Sequence, residues 1–136
     1  MVNIMIVDDE KFTTQLTNIL ISSTQVESNT TEMENGLMAI DYLKRNHLND
    51  SALPDIILLD INMPVMDGWE FMNEYEEIYS NLRKHSSIYM YSSSISDKDI
   101  NCAREHIHVK DFISKPIGME KLINLLGNME KQIQEN

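Results

Sequence analysis

Hydrophobic residues along the chain alternate between short runs and longer stretches in which they recur every three or four positions. The short runs lie at residues 3–7, 55–59, 87–91 and 110–114, and a weaker, threonine-rich run lies at 26–33. Short apolar runs bounded by polar or turn residues are typical of strands buried in a sheet. The pattern therefore predicts five strands, of which 55–59 is the clearest.

Each of these predicted strands is followed by a stretch in which apolar residues recur at helical intervals. Phe12, Leu16, Ile19 and Leu20 recur at helical intervals and predict a helix over residues 11–22. Four further helices are predicted over residues 36–46 and 69–79, after a capping Ser96, and over 119–133.

A strand followed by a helix, five times over, predicts an α/β fold. Apolar strands joined by crossover helices form a parallel sheet with helices on both faces, here a doubly wound sheet of five strands with five helices. The chain has 136 residues, which favours a single domain spanning residues 1–136.

Composition and charge argue against several binding partners and locations for the protein. The chain has 11 Lys and Arg residues against 22 Asp and Glu residues, a net charge of −11, so its surface repels nucleic acid. No apolar run approaches the roughly 20 residues that cross a bilayer, and the N-terminus lacks the features of a secretory signal. Cys102 is the single cysteine, which rules out an internal disulfide and fits a cytoplasmic location.

Polar side chains follow four of the five predicted strands. They are Asp8, Asp9 and Glu10 after the first strand, Asp60 and Asn62 after the third, Ser92, Ser93 and Ser94 after the fourth, and Lys115 after the fifth. Ligands of open parallel sheets bind beyond the carboxyl ends of the strands. We therefore expect three carboxylates, a hydroxyl and an ammonium to meet at one edge of the sheet.

Three carboxylates at close range cannot all stay ionised without compensation. A Mg²⁺ ion held by two carboxylates, a backbone carbonyl and water would supply it, and would also offset the repulsion of an incoming phosphoryl group. A carboxylate held in this way can attack phosphorus and form an acyl phosphate. Lys115 could neutralise the other side of that group.

Taken in order, these segments resemble a known family. The motifs are Ile6-Val7-Asp8-Asp9, Leu58 to Pro64, Asp67-Gly68, Tyr91-Ser92-Ser93 and Phe112 to Pro116. Together they resemble the receiver domain of bacterial two-component response regulators, a flavodoxin-like fold, from about residue 2 to about residue 130.

The resemblance implies a role for each acidic residue. Asp60 corresponds to the phosphoacceptor. Asp9 and Asp60 correspond to direct ligands of Mg²⁺ or Mn²⁺, together with the backbone carbonyl of Asn62. Asp8 corresponds to the acid that reaches the metal mainly through water.

It also implies how the signal enters and leaves. Ser92 corresponds to the switch hydroxyl that binds the phosphoryl group, Lys115 to the ammonium that pairs with it, and Phe112 to the aromatic switch residue. The donor would be a histidine kinase or a phosphotransfer protein. With no effector domain, the fourth helix, fifth strand and fifth helix would bind a downstream protein. We expect a monomer or weak dimer that is not a turnover enzyme and binds no organic cofactor, nucleic acid or membrane.

Each motif alone has a plainer interpretation. Asp8 and Asp9 could only cap a helix, Asp60 could begin an ordinary loop, and Lys115 could point into solvent. Three other functions also use such features. A haloacid-dehalogenase-like phosphatase needs a general acid where Asn62 stands, and a flavin mononucleotide binder would not place three acids after its first strand. The third, a receiver that is not phosphorylated, fits poorly with the complete set of acids, hydroxyl and lysine.

Overall fold

Five strands make up one sheet in the part of the chain that the computed structural model describes, residues 1–135. The strands are β1 (Val2–Val7), β2 (Ser28–Met33), β3 (Ile56–Leu59), β4 (Ser87–Ser92) and β5 (Val109–Ser114). Their order is β2-β1-β3-β4-β5 and every neighbouring pair is parallel. The predicted five-stranded parallel sheet is confirmed.

The crossovers between strands carry the helices. They are α1 (Lys11–Ser22), α2 (Gly36–Arg45), α3 (Gly68–Ile78), α4 (Asp97–Ala103) and α5 (Met119–Glu135), and a 3₁₀ turn, Tyr79–Asn81, follows α3. The five predicted helices are therefore confirmed. Within residues 1–135, no helix combines the length and the apolarity that crossing a membrane requires.

Strand β3 lies at the centre of two apolar layers. Ile57 and Leu59 belong to the cluster that α2 and α3 cover, whereas Ile56 and Leu58 belong to the cluster that α1 and α5 cover. Successive side chains of a strand point to opposite faces, so a strand buried on both sides must be apolar at every position. This explains why β3 is the least ambiguous strand in the sequence.

Helix α1 buries a different face from the one that its apolar spacing suggests. Phe12 is 73% exposed and Ile19 is 61% exposed, whereas Thr13, Thr14 and Thr17 are buried. The spacing locates the helix correctly. Phe12 and Ile19 nevertheless remain accessible, whereas the buried residues of α1 are the three threonines and Ile21.

Two helices begin with reciprocal pairs of capping hydrogen bonds at the edge where the strands end. Asp67 accepts a hydrogen bond from the Glu70 N–H at 2.8 Å, and Glu70 accepts one from the Asp67 N–H at 3.1 Å. Ser96 and Asp99 form the same reciprocal pair at the start of α4. Such pairs satisfy backbone donors that have no partner within the helix. The predicted capping role of Ser96 is confirmed, and Asp67 caps α3 in the same way.

The two long connections, residues 46–54 and 79–86, contact each other. The Arg83 N–H donates to the His47 carbonyl at 2.8 Å, and the Arg83 side chain lies 3.5 Å from Asp50. Both connections lead into the amino ends of strands, so they lie at the edge opposite the carboxyl ends.

Candidate functional site

Asp8, Asp9 and Asp60 come together at the carboxyl edge of the sheet. Each offers a carboxylate oxygen, and these oxygens lie within 4.8 Å of one another. The last paired residues of β1 and β3 are Val7 and Leu59, so their successors, Asp8 and Asp60, stand side by side. The hydrogen bond from the Asp60 N–H to the Val7 carbonyl, at 2.9 Å, extends this pairing.

Lys115 places its ammonium between two of these acids. Its Nζ atom lies 2.6 Å from Asp8 Oδ2 and 3.4 Å from Asp60 Oδ2. Its backbone N–H donates to the Ser92 carbonyl at 2.9 Å, which ties the end of β5 to the end of β4. The peptide bond between Lys115 and Pro116 is cis.

Burial and neighbouring charges shift the pKa values of two members of the cluster, Asp60 and Lys115. Burial raises the pKa of Asp60 to about 6, and the nearby Asp8 adds to the rise while Lys115 opposes it. Burial alone would lower the pKa of Lys115, but its hydrogen bond to Asp8 and the charge of Asp60 outweigh that effect and raise it. Lys115 therefore stays protonated at neutral pH, and a further cation would favour the ionised form of Asp60.

The loop between β3 and α3 passes close to Asp60. The Gly68 N–H donates to the Ile61 carbonyl at 2.8 Å. A Cβ atom at Gly68 would lie 2.7 Å from the Asp60 carbonyl oxygen, a distance that side chains do not tolerate. Val65, in the same loop, has a φ of 71°, in the left-handed region that β-branched residues avoid. This loop is therefore closely fitted around Asp60.

Ser92 is buried, with 2% of its surface exposed. Its hydroxyl donates a hydrogen bond to the Ser94 carbonyl at 3.0 Å, within the loop between β4 and α4. Ser93 and Ser94 are exposed. Of the three consecutive serines, Ser92 is thus the one held at the end of the strand.

Phe112 is half-buried and lies beside Trp69. The two ring centroids are 6.5 Å apart and the rings meet edge to face. Trp69 also stacks on His106 and donates from Nε1 to Asp99 Oδ1 at 3.0 Å. Phe112 therefore belongs to a group that joins α3, α4 and β5.

The structure brings Asp8, Asp9, Asp60 and Lys115 into one cluster. Asn62 is exposed in the loop that follows Asp60, and its backbone amide opposes, as the smallest contribution, the rise in the pKa of Asp60. The three carboxylates match the oxygen ligands that Mg²⁺ and Mn²⁺ prefer, so the residues present suit such an ion. The roles of these residues in catalysis and metal binding stay predictions.

The sequence did not predict three polar contacts near the site. They are the bond from Trp69 to Asp99, and the two bonds of the Tyr91 hydroxyl with Thr17 and Ile117. The helical spacing of Trp69 predicts a core residue and gives no partner for its indole nitrogen. Strand alternation could have placed Tyr91 on the face opposite Ser92, but it could not have supplied the partners of its hydroxyl.

Comparison with known proteins gives a consistent family match. Residues 4–127 match the family described as the response regulator receiver domain. The chain is 28% identical over 131 residues to the chemotaxis protein CheY of Listeria monocytogenes, which covers 96% of this chain and all of CheY, 100% of its length. The structure of the Mn²⁺-bound form of response regulator Rcp1 superposes with a TM-score of 0.71 at 22% identity, covering 96% of this chain and 92% of that one.

Some relatives are longer than the segment they share with this chain. The probable methanogenesis regulatory protein FilR2 of Methanothrix harundinacea is 29% identical over 90 residues, which cover 66% of this chain. The match spans 56% of the length of FilR2. The likeness to FilR2 therefore concerns a shared module.

Proposed function

The chain belongs to the response regulator receiver family of two-component systems, and we propose that it is phosphorylated on Asp60 in a Mg²⁺-dependent reaction. The donor is a histidine kinase or a phosphotransfer protein. The observation that carries the proposal is the position of the Lys115 ammonium between Asp8 and Asp60, beside a third carboxylate from Asp9.

Asp60 is suited to act as the nucleophile. Its carboxylate faces the Lys115 ammonium, and it directly follows the central strand β3. Asp60 is also buried, with 7% of its surface exposed. In the reaction, a carboxylate oxygen of Asp60 forms a bond to phosphorus, and the bond from phosphorus to the donor's imidazole nitrogen breaks. Such transfers depend mainly on positioning and on the neutralisation of charge.

The residues that would hold the metal are Asp9, Asp60 and the backbone carbonyl of Asn62, with Asp8 acting mainly through water. A bound Mg²⁺ or Mn²⁺ ion supplies charge neutralisation for the phosphoryl oxygens. Support comes from the grouping of the three carboxylates and, by analogy, from the Mn²⁺-bound form of Rcp1.

Lys115 and Ser92 act on the phosphoryl group from the opposite side. The ammonium of Lys115 pairs with a phosphoryl oxygen once Asp60 is phosphorylated. The Ser92 hydroxyl, which now donates to Ser94, turns to donate to another phosphoryl oxygen. That turn moves the loop between β4 and α4 and lets Phe112 change its position.

The output is a change in a binding surface formed by α4, β5 and α5, which then favours a downstream protein. In this proposal residues 1–136 act as a signalling module. It acts in the cytoplasm as a monomer or weak dimer, and does not turn over an external substrate. A phosphatase would need a general acid at position 62, and the amide of Asn62 cannot serve as one. This fits a regulated phosphoacceptor better than a phosphatase.

The proposal is tested by incubating the protein with acetyl phosphate, with and without Mg²⁺, and measuring its intact mass. Wild type should gain one phosphoryl group only with Mg²⁺. Asp60→Asn should gain none, whereas Asp97→Asn, which alters an exposed acid of α4, should behave as wild type. A wild-type protein that gains no mass with Mg²⁺ present contradicts the proposal.

A further inference from the structure

The hydroxyl of Tyr91 lies at a junction of three elements beneath the acidic cluster. Tyr91 is the residue before Ser92 in β4 and has 1% of its surface exposed. Its hydroxyl lies 2.9 Å from Thr17 Oγ1 on α1, and it accepts a hydrogen bond from the Ile117 N–H at 3.1 Å. Thr17 is completely buried, at 0% exposure. Buried hydroxyls usually have partners, and this one has two.

These contacts hold the backbone on both sides of Lys115. On one side, the Lys115 N–H donates to the Ser92 carbonyl at 2.9 Å. On the other side, two residues further along, the Ile117 N–H donates to the Tyr91 hydroxyl. Consecutive residues of one strand, Tyr91 and Ser92, therefore fix the short segment that carries the lysine.

The ring of Tyr91 also contacts the lysine side chain. Lys115 Nζ lies 5.8 Å from the centroid of the Tyr91 ring, within the range of an attraction between a cation and an aromatic face. The ring thus supports the ammonium that reaches Asp8 and Asp60. Phenylalanine would keep this contact and lose only the hydroxyl bonds.

We propose that Tyr91 is a positioning residue, which acts through Lys115 and sets the place of its ammonium for phosphoryl transfer to Asp60. This inference rests on the proposed function. Its physical basis is that a displacement of about 1 Å in a group that neutralises the transferring phosphoryl can cost on the order of 100-fold in rate. The Tyr91 hydroxyl bonds to Thr17 and Ile117 rather than to Asp60, so its effect on the rate must disappear when Lys115 is absent.

A double-mutant cycle tests this dependence. The initial rate of phosphorylation by acetyl phosphate is measured for wild type, Tyr91→Phe, Lys115→Ala and the double variant, at saturating Mg²⁺. Tyr91→Phe should lower the rate about tenfold in the wild-type background and less than about twofold in the Lys115→Ala background. Tyr89→Phe removes a hydroxyl from the same strand without affecting Thr17 or Ile117, and should leave the rate unchanged.

Amide hydrogen exchange, without any phosphodonor, measures how firmly the Tyr91 hydroxyl holds the segment that carries Lys115. In Tyr91→Phe, the amides of Ile117 and Lys115 should exchange faster than in wild type and in Tyr89→Phe. An equal loss of rate in both lysine backgrounds, or unchanged exchange at Ile117, overturns the role of Tyr91. A wild-type protein that is not phosphorylated overturns the proposed function and with it any catalytic role of Tyr91, while the exchange rates still report whether the hydroxyl holds the segment.

Discussion

The indole Nε1 of Trp69 donates a hydrogen bond to Asp99 Oδ1 at 3.0 Å, which joins the first turn of α3 to the first turn of α4. Asp99 also accepts from the Ser96 N–H through its other oxygen, at 2.9 Å. Helix α3 follows the loop that contains Asp60, and α4 follows the loop that begins after Ser92. This bond therefore joins the two helices next to the proposed phosphorylation site.

Removing Asp99 should destabilise the protein. Asp99→Ala takes away the carboxylate that accepts from the Ser96 N–H at the start of α4 and leaves the Trp69 N–H without its partner, so we expect the free energy of unfolding to fall by about 1–3 kcal/mol. Urea denaturation measures the change. Asp97→Ala, an exposed acid in the same turn, serves as the control, and an equal loss there would contradict the importance of the link to Trp69.

The contribution of Asp99 should depend on pH. Burial opposes ionisation, but the hydrogen bonds from Ser96 and Trp69 outweigh it and lower the pKa of Asp99 below 3.8, its ordinary value. A lowered pKa means that the ionised form stabilises the fold above the unfolded-state pKa, and that this stability is lost as pH falls through the folded-state pKa. The difference between wild type and Asp99→Ala should therefore shrink in acid. A difference that grows below pH about 4 would contradict this cause.

Asp60 should show the opposite dependence. Burial raises its pKa from 3.8 to about 6, so its ionised form destabilises the fold at neutral and higher pH, and the penalty disappears as pH falls from about 6 towards 4. With divalent ions chelated, Asp60→Asn should be more stable than wild type by about 1–3 kcal/mol at pH 8 and nearly equal at pH 4. Thermal unfolding in a chelator at both pH values checks this. Equal stability at pH 8 would contradict the unfavourable charge.

Gly68 should be required for the shape of the loop after Asp60. Since a Cβ atom there would meet the backbone of Asp60 and Ile61 at 2.7 and 2.9 Å, Gly68→Ala should lower the free energy of unfolding by about 1–3 kcal/mol and slow phosphorylation. Gly127 lies within α5, where a Cβ atom meets nothing within 4 Å. Gly127→Ala should therefore stabilise the protein by about 1 kcal/mol and leave phosphorylation unchanged. Chemical denaturation of both variants separates the two effects.

Ser92 should transmit phosphorylation to the group around Phe112. Trp69 is the single tryptophan of the chain and contacts both Phe112 and Asp99, so its fluorescence reports on this group. Acetyl phosphate with Mg²⁺ should change the emission of wild type and of the matched control Ser93→Ala. Ser92→Ala should be phosphorylated but show a smaller change, and Ser92→Thr should restore it. An undiminished change in phosphorylated Ser92→Ala would contradict the switch.

The sequence predicted most of the fold because its dominant signals are local or depend on strand alternation. Residues 56–59 are apolar throughout because β3 is buried on both faces, and the cap at Ser96 acts within three residues. The meeting of Asp8, Asp60 and Lys115 also followed from sequence order, since parallel strands end at one edge.

Contacts between distant elements could not be predicted in this way. Periodicity gave the extent of α1 but not the exposure of Phe12, because the buried face depends on how the helix lies against the sheet. The partners of Tyr91 and Trp69 likewise depend on side-chain positions from other elements, and no spacing along the chain encodes them.

The central claim is that Asp60 carries the phosphoryl group, and chemical mapping of the phosphorylated residue tests it most directly. The protein is phosphorylated with acetyl phosphate and Mg²⁺, reduced with borohydride, which converts an acyl phosphate to an alcohol, and digested for peptide mass spectrometry. The account predicts homoserine at position 60 in wild type and none at Asp8 or Asp9. Homoserine at either of those residues, or at no position in a protein that had gained a phosphoryl group, would contradict it.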